Sequence, residues 1–241
     1  MTFRNRLQYL LVWKLRVSNR TALEIILSGK VLVNGIAINT NIELNQTDEV
    51  VYNDEVLKEG KKLIYIAFYK PRGIETTLNT AIADNLKNIL PFEEELFPVG
   101  RLDKASEGLL FLTNDGTLYD KMLRNENKTE KEYMVTVDKP IDEHFLISMA
   151  NGIKIMGKMT LPCYIKKIDD FTFRIILIQG LNRQIRRMCY QLHYEVERLI
   201  RVRIGSIELG DLIAGEYRVL TPSLTFPNNG EGSKISSILH L

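Results

Sequence analysis

Asp103 is the residue on which chemistry could turn. It is the one carboxylate in the polar stretch Gly100 to Ser106, between Arg101 and Lys104, and an apolar run, Gly108 to Thr113, follows it. A continuous apolar run of that length fits a strand buried on both faces. An acid on a loop anchored to such a strand is held in place, and an ionised carboxylate so held can act as nucleophile or base. The plainer reading is a solvated loop acid paired with a neighbouring base. A second dense segment, Gly180 to Leu192, carries Arg183, Arg186 and Arg187. Ile185, Met188, Cys189 and Leu192 fall at helical spacing, so one helix face is buried and the arginines emerge near the helix start, off that face. Asn182 fits the N-cap. Positive charge at a helix N-terminus opposes the macrodipole, which points to an anion as its counterpart. Arg198, Arg201 and Arg203 extend the series in a strand-like pattern, and the planar guanidinium suits phosphate and carboxylate. The plainer reading here is a solvated cationic face.

Several elements must position these groups. Ile64 to Tyr69 reads as a strand ended by Lys70-Pro71-Arg72-Gly73, and Asn114-Asp115-Gly116 reads as a turn closing the apolar run. Leu118 to Leu123 is predicted as a short helix and Asp142 to Ala150 as a longer one. Glu132 to Val137 and Thr172 to Ile178 are predicted strands, with Tyr133, Val135 and Val137 alternating onto one face. Upstream, residues 4 to about 58 read as a separate small module. Leu7, Leu10, Leu11 and Leu15 recur at helical spacing, Ser18 is placed to cap a second helix, and Gly29 to end it. Val31 to Ile38 is a hairpin around Asn34-Gly35. Two helices feeding that hairpin bring Arg16, Arg20 and Lys30 near one another, with Arg6 on the first helix, as a candidate phosphate-contacting face. Glu55 to Lys62, polar and containing Gly60, reads as a linker.

Composition narrows the classes. A chain of 241 residues, 45% hydrophobic and 26% charged, has room for one ample core or two domains. The net charge of +2 does not by itself suggest nucleic acid, so that argument rests on local clustering. No apolar run approaches the roughly 18 residues that would span a membrane, and the N-terminal stretch lacks the features of a signal peptide. Two cysteines and three scattered histidines offer neither a disulfide framework nor a metal constellation, so the expected metal is none and the expected location cytoplasmic.

The unbroken run Gly100-Arg101-Leu102-Asp103-Lys104-Ala105-Ser106-Glu107-Gly108-Leu109-Leu110-Phe111-Leu112-Thr113-Asn114-Asp115-Gly116 closely resembles the signature of the RNA pseudouridine synthases of the RsuA/RluB/RluE/RluF type. Lys70-Pro71-Arg72-Gly73 and the Lys131-to-Val135 strand are similar to further motifs of that family. Gly180 to Cys189 resembles its third motif, with Cys189 closest to the RluF-like branch and Gly205-Ser206 departing from it. Residues 18 to 35 resemble an S4 RNA-binding domain, although Leu15 stands where a Gly often ends the first helix and Asn19 where a second Arg is common.

The resemblance implies an α+β protein: an S4-like RNA-binding domain over 1–60, a catalytic domain over 61–221 with a mixed, largely antiparallel central sheet, and a tail over 222–241. It implies isomerisation of a specific uridine to pseudouridine in structured ribosomal RNA by a monomer, without a cofactor. The 23S RNA is favoured, with 16S RNA and tRNA open. Asp103 takes the catalytic role, and Arg186 is its expected ionic partner. Tyr133 is expected to stack on the target base and Arg101 to assist its extrusion. Arg6, Arg16, Ser18, Arg20, Lys30, Arg183 and Arg187 are the expected RNA contacts. The alternative reading is a non-catalytic S4-type rRNA-binding factor, which the joint presence of Asp103, Tyr133 and Arg186 disfavours.

Overall fold

The computed structural model describes residues 3–118 and 129–221. The chain forms two compact units, 1–63 and 64–241. The predicted helix from Leu118 to Leu123 lies outside the described residues beyond Leu118, and so does the expected tail, 222–241.

In the first unit, α1 (Leu7–Leu15) and α2 (Asn19–Leu27) pack on a four-stranded sheet ordered β2-β1-β3-β4. Its strands are β1 (Val31–Val33), β2 (Ile36–Ile38), β3 (Val50–Tyr52) and β4 (Glu55–Lys58). Leu7, Leu11, Ala22, Ile26, Val31, Val33, Val50 and Leu57 form its core. Burial of one helical stripe and alternate strand residues is what the apolar spacing demands. Ser18 caps α2 by accepting from Thr21 N at 3.1 Å. The chain leaves α1 through Arg16 at φ 56, a left-handed conformation that glycine would enter more easily. Asn34 and Gly35 both have positive φ, as a tight hairpin turn requires. The linker expected over Glu55 to Lys62 is corrected in part. Glu55–Lys58 pairs with β3, and Lys58 Nζ donates to the carbonyls of Asn45, Gln46 and Asp48. This edge strand buries only Leu57 fully, so its sequence carries almost no strand signal.

The second unit is a mixed sheet with flanking helices. Its strands are β5 (Tyr65–Lys70), β6 (Phe97–Val99), β7 (Glu107–Thr113), β8 (Lys131–Val137), β9 (Lys154–Ile155), β10 (Lys158–Met159), β11 (Tyr164–Lys167), β12 (Thr172–Leu177), β13 (Val196–Ile204), β14 (Ile207–Glu208) and β15 (Tyr217–Val219). The main sheet runs β11-β12-β8-β13-β7-β5-β15, with β14 on β13 and β6 on β7, and β9 and β10 form a separate hairpin. Every pair in the main sheet is antiparallel except β7 with β13. All seven residues of β7 are buried, as its apolar run predicts. Helices α3 (Glu143–Asn151, capped by Asp142) and α4 (Gln184–Gln191) pack onto the sheet through Phe145, Met149, Ile185, Met188 and Cys189. Val135, Val137 and Phe173 meet them, and Tyr133 packs at the edge of that core.

The Asn114-Asp115-Gly116 turn is a clasp. Asn114 Oδ1 accepts from Ile64 N at 3.0 Å, Asp115 Oδ2 accepts from the Tyr65 hydroxyl at 3.0 Å, and the Thr113 hydroxyl donates to Ile64 O at 2.7 Å. Burial, together with the hydrogen bond to Asp115, pushes the Tyr65 phenol up to about 12. The end of β7 is thereby locked to the start of β5, which steadies the strand that carries the Asp103 loop. Among the described residues no helix is long and apolar enough to cross a membrane.

Candidate active site

Asp103 is half-buried on the loop between β6 and β7, and the scaffold grips this loop at several points. The buried Thr76 hydroxyl donates to Leu102 O at 2.7 Å and accepts from Leu102 N at 3.1 Å. Ser106 N donates to Asp103 O at 3.0 Å, and Gly73 N to Lys104 O at 2.8 Å. Lys104 pairs with Asp84 at 2.9 Å, so the base next to Asp103 in sequence is committed elsewhere.

The parallel pairing of β7 with β13 provides the remaining support. Gly108, at φ +102, lies flush on Arg201: a Cβ there would stand 2.5 Å from Arg201 O. This close approach lets the Arg201 side chain, only 3% exposed, donate from Nε to Leu109 O at 2.7 Å and from Nη1 to Arg101 O at 3.3 Å. Its Nη2 is buried without a partner among the described residues, and Arg201 forms part of the wall of the cavity that Asp103 faces. Lys70 is fully buried, with Nζ donating to Pro71 O and Ile74 O at 2.7 Å each. Burial pulls its ammonium down to about 8, while the nearby charges of Glu107 and Asp103 oppose that shift. Glu107 accepts from Arg198 Nε at 2.8 Å and from the Tyr69 hydroxyl at 2.9 Å; the Arg198 hydrogen bond holds its carboxyl below the usual value.

A cavity of about 540 Å³ opens over this loop, within the usual range for a small-molecule or nucleotide site. Asp103, Arg101, Tyr133 and Arg183, predicted from three separate stretches of sequence, all line it, together with Lys131, Leu199 and Arg201. Tyr133 reaches it from β8 with its ring half-buried. Arg183 and Arg187 stand with Arg186 at a neighbouring cavity, which Arg183 shares with the first.

Two expectations about α4 change. Arg186 makes no ion pair with Asp103. Its Nη1 donates to Val196 O at 2.8 Å and its Nη2 to Ala105 O at 2.9 Å, so it fastens the Asp103 loop two residues past the acid. Burial pulls the guanidinium down from the usual arginine value, and the charge of Asp103, within electrostatic reach, pushes it back. Asn182 is also not the N-cap: Arg183 occupies that position at φ 49, and Asn182 accepts from Arg187 through its carbonyl at 3.0 Å and Oδ1 at 3.2 Å.

Among the residues expected to meet RNA in the first unit, Arg16 and Lys30 are exposed. Arg20 pairs with Glu24 at 3.1 Å, Arg6 donates to Asn41 O at 3.1 Å, and the Ser18 hydroxyl caps α2. Arg198 and Arg203 of β13 are paired with acids of the chain itself: Arg198 with Glu107, and Arg203 with Glu132 and Glu130. Sequence reasoning missed Thr76, Lys70, Glu107 and the buried role of Arg201. Lys70 and Arg201 lay in stretches already singled out, but nothing local marked Thr76.

The model of one known family, described as RNA pseudouridylate synthase, matches residues 64–191. The chain belongs to this family. It is 45% identical over 206 residues to the dual-specificity RNA pseudouridine synthase RluF of Escherichia coli K12, covering 85% of this chain and 71% of that protein. It is 30% identical to the ribosomal large subunit pseudouridine synthase B of Bacillus subtilis, over 90% of this chain and 92% of that one. A solved structure described as a pseudouridylate synthase superposes with a TM-score of 0.63 at 28% identity, covering 90% and 96% of the two chains. As a pseudouridylate synthase the chain is an isomerase that acts on RNA. The match encloses Asp103, Tyr133 and Arg183, three of the side chains that share the main cavity, and the RluF-like kinship read from the third motif is upheld.

Proposed function

We propose that this enzyme converts a specific uridine of structured ribosomal RNA to pseudouridine, with Asp103 as its nucleophile. One observation carries the reading: Asp103 faces one cavity with Tyr133, Arg101 and Arg183, on a loop clamped by Thr76, Arg186 and Arg201. The N1–C1′ bond of the uridine breaks as the Asp103 carboxylate bonds to C1′, the base turns, C5 displaces the carboxylate at C1′, and the proton lost from C5 is balanced by one gained at N1. Nothing is oxidised and no atom other than that proton leaves the base, so the chemistry can run on side chains alone. The Asp103 carboxylate is the group placed to attack C1′. Arg186 assists by its charge and by its grip on the Ala105 carbonyl, in place of a direct ion pair.

A uridine inside a stem must leave the stack, which costs a few kcal/mol. Stacking on the Tyr133 ring returns roughly 1–3 kcal/mol, enough to offset much of that cost. Arg101 assists the extrusion of the target base. Residues 1–60 act as an S4-type RNA module through Arg16 and Lys30, and residues 61–221 as the catalytic domain. The 23S RNA is the favoured substrate, and a cytoplasmic monomer the favoured form.

The test is carbodiimide-based primer extension on rRNA from cells with and without the protein, since pseudouridine has the mass of uridine and needs a chemical adduct to be seen. One stop should depend on the protein and should not return with Asp103→Asn, which keeps the fold and RNA affinity. An active Asp103→Asn enzyme would overturn the assignment. RNA binding without any lost stop would instead favour a binding factor.

A further inference from the structure

The second cavity, about 360 Å³, is bordered by Ile155, Met156, Arg183, Arg186, Arg187, Tyr190 and Gln191. Three arginines and, among the described residues, no acid face it, so its natural counterpart is an anion. The helical repeat explains the arrangement. Ile185, Met188 and Cys189 bury one face of α4, which leaves Arg183, Arg187, Tyr190 and Gln191 on the other at spacings of three, four and seven. Tyr190 is 70% exposed, and its hydroxyl has no partner among the described residues. Met156, 65% exposed, stands at the tip of the β9–β10 hairpin. The two non-glycine residues at this rim with left-handed backbone, Arg183 (φ 49) and Met156 (φ 49), both border the cavity. Such conformations persist where the surrounding structure holds them, often at ligand sites. Arg186 adds a buried Nε without a partner. Arg183 lines both cavities, so the second continues from the site of Asp103.

An exposed aromatic ring among guanidinium groups is the pattern that grips single-stranded nucleic acid: the ring takes a base and the arginines a phosphate. We propose that this cavity holds a nucleotide flanking the target uridine, with its phosphate on Arg183 and Arg187 and its base stacked on Tyr190, the Met156 side chain closing the other side. This rests on the reading of the protein as an RNA-modifying enzyme. It adds a second foothold that keeps the strand splayed while the uridine occupies the first cavity. Methionine suits the closing position, because its flexible thioether adapts to different bases.

The test uses the full chain and rRNA purified from cells that lack it. Tyr190→Ala should raise KM by about 5- to 150-fold, the equilibrium equivalent of one lost base–aromatic stack, with the loss falling on KM rather than kcat. Tyr190→Trp should restore KM, since stacking is retained. At 70% exposure the ring is not part of the core, so thermal unfolding of both variants should match the parent. In parallel, the Asp103→Asn chain is irradiated on the same rRNA and its crosslinked peptides are mapped. A crosslink on the peptide carrying Tyr190, to a nucleotide next to the modified uridine, supports the proposal. An unchanged KM in Tyr190→Ala, or a crosslink confined to peptides of the first cavity, overturns it. If the unaltered chain makes no pseudouridine, the enzymatic reading fails instead, and the crosslink map alone decides the second cavity.

Discussion

Gly108→Ala tests how far the active-site loop depends on one backbone contact. The added methyl would stand 2.5 Å from Arg201 O, 2.8 Å from Arg201 N and 2.9 Å from Ile200 Cγ2. Ordinary contact lies near 3.5 Å, so β7 and β13 must part by roughly 1 Å. Both are inner strands of the sheet, and neither can swing outward. The backbone at φ +102 adds about 1–3 kcal/mol of conformational strain for a residue with a Cβ. Overpacking adds about 1–3 kcal/mol more. The sum, about 2–6 kcal/mol, is a large part of the 5–15 kcal/mol that holds a typical domain folded. Function should suffer as well, because the displaced Arg201 releases Leu109 O and Arg101 O on the strand and loop that present Asp103. Urea unfolding should show the stability loss, and pseudouridine formation, assayed cold where the variant remains folded, should fall at least tenfold. Gly116→Ala is the control: a Cβ there meets nothing within 4 Å, and no positive φ opposes it. A Gly108→Ala protein within 0.5 kcal/mol of the parent and fully active would refute the claim that close approach of β13 sets the loop.

Thr76→Val keeps the shape but removes the hydroxyl that both accepts from and donates to Leu102, leaving two buried backbone groups unpaired at about 1–3 kcal/mol each. Stability should fall by about 2 kcal/mol and kcat by roughly tenfold, while Thr76→Ser recovers both; urea unfolding and pseudouridine yield measure them. The Glu107 carboxyl is held down by its Arg198 hydrogen bond, so the native state binds fewer protons than the unfolded chain in acid. Its stabilisation is complete above the unfolded value, about 4.3, and is lost as pH falls through the lowered native value. Urea midpoints between pH 3 and 6 should therefore drop more steeply in the parent than in Glu107→Gln; identical slopes would remove Glu107 from the acid limb.

The local pattern by itself determined much of this protein. The apolar run after Asp103 fitted a buried strand, Asn34-Gly35 signalled a tight turn, and the α4 spacing chose which side chains meet the core, as the structure bears out. Those are short-range consequences of periodicity and backbone sterics, visible without any partner element. The Asp103 signature and the arginine helix pointed to the chemistry through their resemblance to a family, which is legible because each lies within one continuous stretch. Only the tertiary structure decided where the cations went. Arg186 was expected on Asp103, yet it holds Ala105 O and Val196 O, because its partners are set by where β13 starts and the β6–β7 loop ends. Arg198 and Arg203 suited phosphate or carboxylate alike, and the fold gives them carboxylates, Glu107, Glu130 and Glu132, across strands. Thr76 bonds a residue 26 positions away and Arg201 one 92 away. A hydrogen bond between such distant groups leaves no trace in local spacing, because burial forces each polar group to find whichever partner the fold brings near.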